Sequence, residues 1–263
     1  MLAFGPAIVL LGAVQAIAVV LPGAGWPRGL WRPRSRLWAA VMPASIAAVI
    51  GGIAAAPGIA NGLTWLALVA VPPLAAAALG WASRGTSERG RPLRWALACL
   101  SMFLFGAAWA WRGDVGGDVA ALALSTLACI TLARLVAGLA PLGLVKLGIL
   151  VAAALDTALI VSHNLQHPNA VLNAAAPAAH LPRLQLVQLG PAIMGFGDVF
   201  IAALLGATLA AEGRPRLPAA AITLAAASVM DLLFYVTDEL PATVPVAVAL
   251  LAVDWLRRRR PRR

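Results

Sequence analysis

Three carboxyl groups lie where apolar sequence surrounds them. Asp156 falls in Val151-Ala-Ala-Ala-Leu-Asp-Thr-Ala-Leu-Ile160, Asp198 in Met194-Gly-Phe-Gly-Asp-Val-Phe-Ile-Ala202, and Asp231 in Ser228-Val-Met-Asp-Leu-Leu-Phe234. An ionisable group inside hydrocarbon is expensive enough to be a candidate functional site by default. No basic residue lies within a helical turn of Asp156, so no local ion pair accounts for it. Gly195 and Gly197 precede Asp198, and they let another backbone approach closely or let a helix start or bend there. Asp231 has no such frame. Two carboxyls brought together in a low-dielectric site cannot both ionise, so the pair shares a proton. Such a pair can hydrolyse an amide. The ionised carboxyl takes a proton from water while the protonated one polarises the carbonyl. No metal, cofactor or covalent intermediate is needed. Two other uses of buried acids stand beside this one: hydrogen-bonded glue between helices and a proton path through a transporter.

The elements that must hold these acids follow from composition. The chain has 263 residues, of which 62% are hydrophobic and 11% charged; the mean hydropathy is +0.89. A soluble domain carries about 25% charged residues, so soluble, disordered and disulfide-scaffold classes are excluded. A bilayer span takes about 20 apolar residues, and nine spans would use roughly 180. The net charge of +10 does not indicate nucleic acid. The basic residues cluster at Arg28–Arg36, Arg84–Arg94, Arg214–Arg216 and Arg257–Arg263, each beside an apolar run. Cytoplasmic loops collect Lys and Arg in this way.

Nine apolar runs can be traced: Leu2–Leu21, Leu37–Ala56, Leu63–Ala82, Trp95–Trp111, Val119–Ala140, Leu144–Ser162, Leu186–Ala211, Pro218–Val236 and Leu240–Leu256. The first lacks a basic n-region and reads as a retained span and not a cleaved signal. Basic loops follow runs one, three, seven and nine. That alternation puts the N-terminus outside and the C-terminus in the cytoplasm. The expected fold is all-α and polytopic, with nine transmembrane helices in the cell membrane. Residues 1–140 form a five-span N-terminal half and 141–263 a four-span half of a single membrane domain.

Other polar residues have plainer readings. Cys99 and Cys129 read as small buried hydrophobes, with no CxxC or His partner nearby. His163, His167 and His180 read as surface or interfacial residues, since no further ligands accompany them. Thr157 and Gln188 are expected to bond across helices. Asp231 is expected to contact a neighbouring helix, and it is the substitute should Asp156 be misassigned. Asp254 reads as an interfacial salt-bridge partner near arginines. Pro241 and Pro245 mark a helix start whose free carbonyls could hold an unwound substrate segment as an extended strand.

Gly195-Phe196-Gly197-Asp198 matches the GxGD motif, and the surrounding order resembles the presenilin / signal peptide peptidase family of intramembrane aspartyl proteases. In that family one catalytic Asp lies in the sixth span and the GxGD Asp in the seventh, as Asp156 and Asp198 do in the runs above. Pro241-Ala242-Thr243 stands where the family carries Pro-Ala-Leu, and Leu181-Pro-Arg-Leu-Gln-Leu186 is similar to its short stretch before the seventh span. The resemblance covers about Leu144 to Val253. Two positions depart from it: Leu155 replaces the Tyr before the first Asp, and Thr243 replaces the Leu of Pro-Ala-Leu.

The resemblance implies a catalytic dyad of Asp156 and Asp198. It implies substrate-binding residues Gly195, Phe196, Gly197, Pro241, Ala242 and Thr243, with no cofactor. The partners it implies are transmembrane helices within the bilayer. The orientation is that of signal peptide peptidase, which implies substrate helices whose N-termini face the cytoplasm. Prepilin peptidases also use GxGD, and Gly197-Asp198-Val199 followed by Ala202–Gly206 is similar to their version. Their other Asp lies near the cytoplasmic surface, and they have no counterpart of Pro241-Ala242. The non-enzymatic alternative is a proton-coupled transporter using the acids as a relay.

Overall fold

A computed structural model describes residues 3–23, 44, 48, 51–53, 56, 58–82, 91–162, 166–178, 180–237 and 239–259. Most of the second apolar run, the basic stretches 28–36 and 84–90, and His163 lie outside these residues.

The described chain is mostly helical. The long helices are α1 (Phe4–Val20), α2 (Gly58–Ala82), α3 (Arg91–Ala110), α4 (Val115–Leu139) and α5 (Leu142–Val161). A short α6 (Gln166–Ala174) follows, then strands β1 (Leu186–Leu189) and β2 (Ala192–Gly195). The chain ends with α7 (Phe196–Ala211), α8 (Leu217–Asp231), a 3₁₀ turn at Leu232–Tyr235, and α9 (Val244–Arg259). Among the described residues, four segments are long and apolar enough to cross a bilayer: Gly58–Trp81, Val115–Leu139, Leu142–Val161 and Leu217–Tyr235. Phe4–Val20, Ala96–Ala110 and Phe196–Ala211 are apolar but shorter. Leu66, Val69, Met102 and Phe103 are each more than 60% exposed. Such outward apolar faces suit a lipid environment and would be a liability in water. The chain is a membrane protein.

The seventh apolar run is not one helix, as the sequence reading has it. Its first ten residues form an antiparallel hairpin in which Leu186 pairs with Gly195 and Leu189 with Ala192. The two-residue turn is Gly190-Pro191. Gly190 has φ 57°, a positive angle that glycine adopts without steric penalty, and Pro191 has its φ fixed by its ring. That is the combination a II′ hairpin turn asks for at its two central positions. Gly190 N–H donates to Asp118 Oδ2 at 2.9 Å, so the N-terminal turn of α4 pins the hairpin tip.

α7 is the most enclosed element. Val199, Ile201–Leu205 and Ala207–Leu209 are all buried there. α1, α4, α5 and α9 all contact it, and one buried cluster draws on residues from both 1–140 and 141–263. α1 comes closest to α7 at Gly206, where a Cβ would run into the Val19 carbonyl. α1 also packs on α8, with Gly12 facing the Ala227 methyl.

Candidate active site

The two glycine-framed features of the motif do different things. Gly195 is the N-cap of α7, with φ −64° and ψ 143°. The helix therefore starts at the motif. Asp198 is the third residue of α7, and its Oδ2 accepts the Gly195 N–H at 3.1 Å. A carboxylate in a first helical turn also meets the positive end of the helix dipole. A Cβ on Gly195 would stand 2.9 Å from Asp198 Oδ2, so glycine leaves the carboxylate its place. Gly197 differs from expectation: nothing among the described residues comes within 4 Å of where its Cβ would be. It is an open position beside Asp198 and not a packing contact. Below it, the buried Cys129 of α4 donates its thiol to the Phe196 carbonyl at 3.6 Å, supporting the first turn of α7.

Asp156 lies in the last third of α5, half-buried. Its Oδ2 accepts the Thr243 hydroxyl at 2.7 Å and faces the Thr243 N–H at 3.5 Å. α5 packs on α7, and the Asp156 and Asp198 carboxyls lie within electrostatic reach of each other. The acids of the sixth and seventh runs thus stand on packed helices, and Thr243 of the Pro241-Ala242-Thr243 segment bonds to Asp156. Asp231 is elsewhere. It is the final residue of α8, where the helix passes into a 3₁₀ turn, and its Oδ2 is shielded with no hydrogen-bond partner among the described residues.

The carbonyls expected to stand free at Pro241 and Ala242 are taken. Ala242 O accepts the Gln15 side-chain amide of α1 at 2.9 Å, and Pro241 O accepts the Val244 N–H at 3.1 Å. A two-stranded sheet presents backbone groups along its outer edges, and one of them, the Gly195 N–H, goes to Asp198. β1 is nearly all buried, whereas β2 is the open strand, with Ile193 and Gly195 exposed. The lead-in to β1 is anchored. Ser125 of α4 donates to Leu184 O at 3.2 Å, and Gln185 Nε2 donates to Ala175 O at 2.9 Å.

Several lesser readings change. Thr157 donates back to Ala153 O in its own helix, and Gln188 donates to Gly190 O within the hairpin turn; among the described residues these are local bonds and not bonds across helices. Cys99 is exposed on α3, on a face a membrane can cover. His180 is exposed, and the His167 side chain lies outside the described set. Asp254 does form an ion pair, with Lys146 at 3.1 Å and with Arg214. Lys146 also meets Glu212 at 2.9 Å, so four charges tie α5, the α7–α8 connection and α9 together. Burial opposes the Arg214 charge, but its bonds to Asp254 and Glu212 outweigh that and hold its pKa above the ordinary value.

Four residues of this constellation are absent from the sequence reading: Gln15, Asp118 as a hairpin anchor, Cys129 as a donor and Thr243 as the hydrogen-bond donor to Asp156. Gln15 carries a signal that could have found it, being the one polar side chain in α1. No family model, no curated protein and no solved structure matches this chain. The site therefore has to be read from its own geometry.

Proposed function

We propose that this protein is an intramembrane aspartyl endopeptidase resembling signal peptide peptidase. It hydrolyses peptide bonds within transmembrane segments of its substrates, with Asp156 and Asp198 as the catalytic dyad. The observation that supports the reading is that α5, which carries Asp156, packs on α7, which carries Asp198, with the two carboxyls acting on each other electrostatically. The Thr243 hydroxyl donates to Asp156, and the Gly195 N–H donates to Asp198. In this reading the chain crosses the cell membrane nine times, with its N-terminus outside and its C-terminus in the cytoplasm.

The mechanism follows from the pair. One carboxyl removes a proton from a water held between them. The other, protonated, donates to the amide carbonyl as the tetrahedral oxyanion forms. The proton then passes to the leaving nitrogen, and the dyad returns to its starting state. No cofactor takes part.

Water and an unwound substrate must both reach the dyad. Non-helical backbone at membrane depth is tolerated only where protein buries it or water lines it. The hairpin running into Asp198 is backbone of this kind. α7 has 16 residues and rises about 24 Å against about 30 Å of hydrocarbon, so its first turn can lie within the membrane. A helical amide must lose its own hydrogen bonds before water can attack it. The open strand β2 offers replacement partners, and pairing would hold the substrate extended beside Gly195, Phe196 and Gly197. In this reading Pro241, Ala242 and Thr243 border the substrate beside Asp156.

The test is cleavage of a panel of transmembrane peptides by purified protein in detergent, with products sized by mass spectrometry. Defined internal cleavage supports the reading. Protein that cleaves none of them but carries protons across liposomes would replace it with the transporter reading.

A further inference from the structure

We propose that Gln15 is a positioning residue for this site, acting from α1 through the Ala242 carbonyl. The inference rests on the protease reading for its kinetic consequence, and on geometry alone for the contact. Gln15 is the one polar side chain between Phe4 and Val20, and it is 1% exposed. A buried amide in apolar surroundings is retained only with a partner. The partner lies 227 residues away in sequence, at 2.9 Å.

What the partner does gives the contact its meaning. Ala242 directly precedes Thr243, whose hydroxyl and N–H both face Asp156. Residues 239–241 have no regular secondary structure, and 242 and 243 form a turn. Before Thr243 the stretch is irregular, and Pro241 has no N–H to contribute. Its orientation is set at one end by the bonds into α9, Val244 N–H to Pro241 O and Ala247 N–H to Thr243 O. On the side facing the core it is set by Gln15. The donor itself stands on a rigid support. α1 is seated against α7 at Gly206 and against α8 at Gly12. Gln15 therefore carries the position of α1 to Thr243, and Thr243 carries it to Asp156. α1 becomes part of the machinery although it holds no group that touches the reacting atoms.

Three variants of the full chain test this. Gln15→Met keeps the length and removes the donor. Gln15→Asn keeps an amide but is one methylene too short, and it carries the same comparison if Gln15→Met does not fold. Gln15→His restores an N–H at similar reach. Two readouts are needed. The first is amide hydrogen exchange over residues 242–247, which does not depend on any activity. It should quicken about tenfold in Gln15→Met and Gln15→Asn, the loss expected for one buried hydrogen bond, while residues 199–209 of α7 keep wild-type protection. The second is peptide cleavage. Here kcat should fall about tenfold with KM unchanged, and Gln15→His should recover most of it. A side chain that merely fills space would leave kcat intact in Gln15→Met. Unchanged exchange over 242–247 would overturn the inference whatever the activity. Changed exchange with a wild type that cleaves nothing would sink the protease reading and leave the positioning of Thr243 standing.

Discussion

The Thr243 hydroxyl donates to Asp156 Oδ2 at 2.7 Å, across 87 residues of chain. At the sequence level Thr243 is a departure from Pro-Ala-Leu, a polar residue where the family carries an aliphatic one. In the fold it is the direct partner of Asp156, one acid of the proposed dyad. A hydrogen bond to a charged group contributes roughly 1.5–3 kcal/mol. Thr243→Val should therefore lower kcat/KM for peptide cleavage by about tenfold or more, because each 1.4 kcal/mol is a factor of ten. Thr243→Ser keeps the hydroxyl and should stay within a few-fold of wild type. Equal activity in Thr243→Val and wild type would show that the contact has no catalytic role.

The two glycines of the motif should separate experimentally. Gly195→Ala places a methyl 2.9 Å from Asp198 Oδ2, so the carboxylate must turn away. Cleavage should drop by a factor on the order of 10–100, the scale of a misplaced catalytic group. Gly197→Ala meets nothing within 4 Å, and its effect on folding should stay within about 0.5 kcal/mol, as for surface positions. Thermal unfolding in detergent checks the second statement, and loss of cleavage with wild-type stability would mark Gly197 as a place where substrate passes.

The tip of the hairpin depends on one acceptor. Asp118 Oδ2 takes the Gly190 N–H, and Asp118→Ala removes it. That should loosen the strand pair by about 1–2 kcal/mol, the penalty for leaving a donor without its partner. Exchange of amides 187–195 should quicken, while Asp118→Asn, which keeps an acceptor oxygen, should stay close to wild type. Unchanged exchange in Asp118→Ala would mean that α4 does not hold the hairpin.

The charge cluster should matter for stability more than for chemistry. Lys146 bridges Glu212 and Asp254, with side chains 16%, 18% and 30% exposed. Lys146→Met leaves two carboxylates sharing Arg214. The cost should fall between that of an exposed pair, about 0.5 kcal/mol, and that of a buried one, about 3 kcal/mol. A lowered unfolding temperature that returns toward wild type in Lys146→Met/Asp254→Asn would show that the loss is electrostatic.

Much of this arrangement was legible in the residues. Apolar runs mark most of the helices to within a few residues, because hydrophobic length alone is a strong signal in a membrane protein. Asp156 and Asp198 stand out because acids are scarce in such runs, and the helices that carry them pack on each other. The hairpin was not legible by periodicity. Leu186–Gly195 is apolar on both sides of its turn, and a short apolar strand cannot be told from a helical segment by pattern. Gly190-Pro191 was the available turn signal within that run. Gln15, Asp118 and Thr243 act through contacts spanning 72 residues or more, which no local pattern encodes.

The most direct test compares four proteins purified in detergent against the same transmembrane peptides: wild type, Asp156→Asn, Asp198→Asn and Asp231→Asn. Each substitution preserves size and removes the ability to exchange a proton. If Asp156 and Asp198 share the water that attacks the peptide bond, either of their substitutions abolishes cleavage, and Asp231→Asn cleaves like wild type. Cleavage that survives Asp156→Asn, or that is lost only in Asp231→Asn, would contradict the dyad.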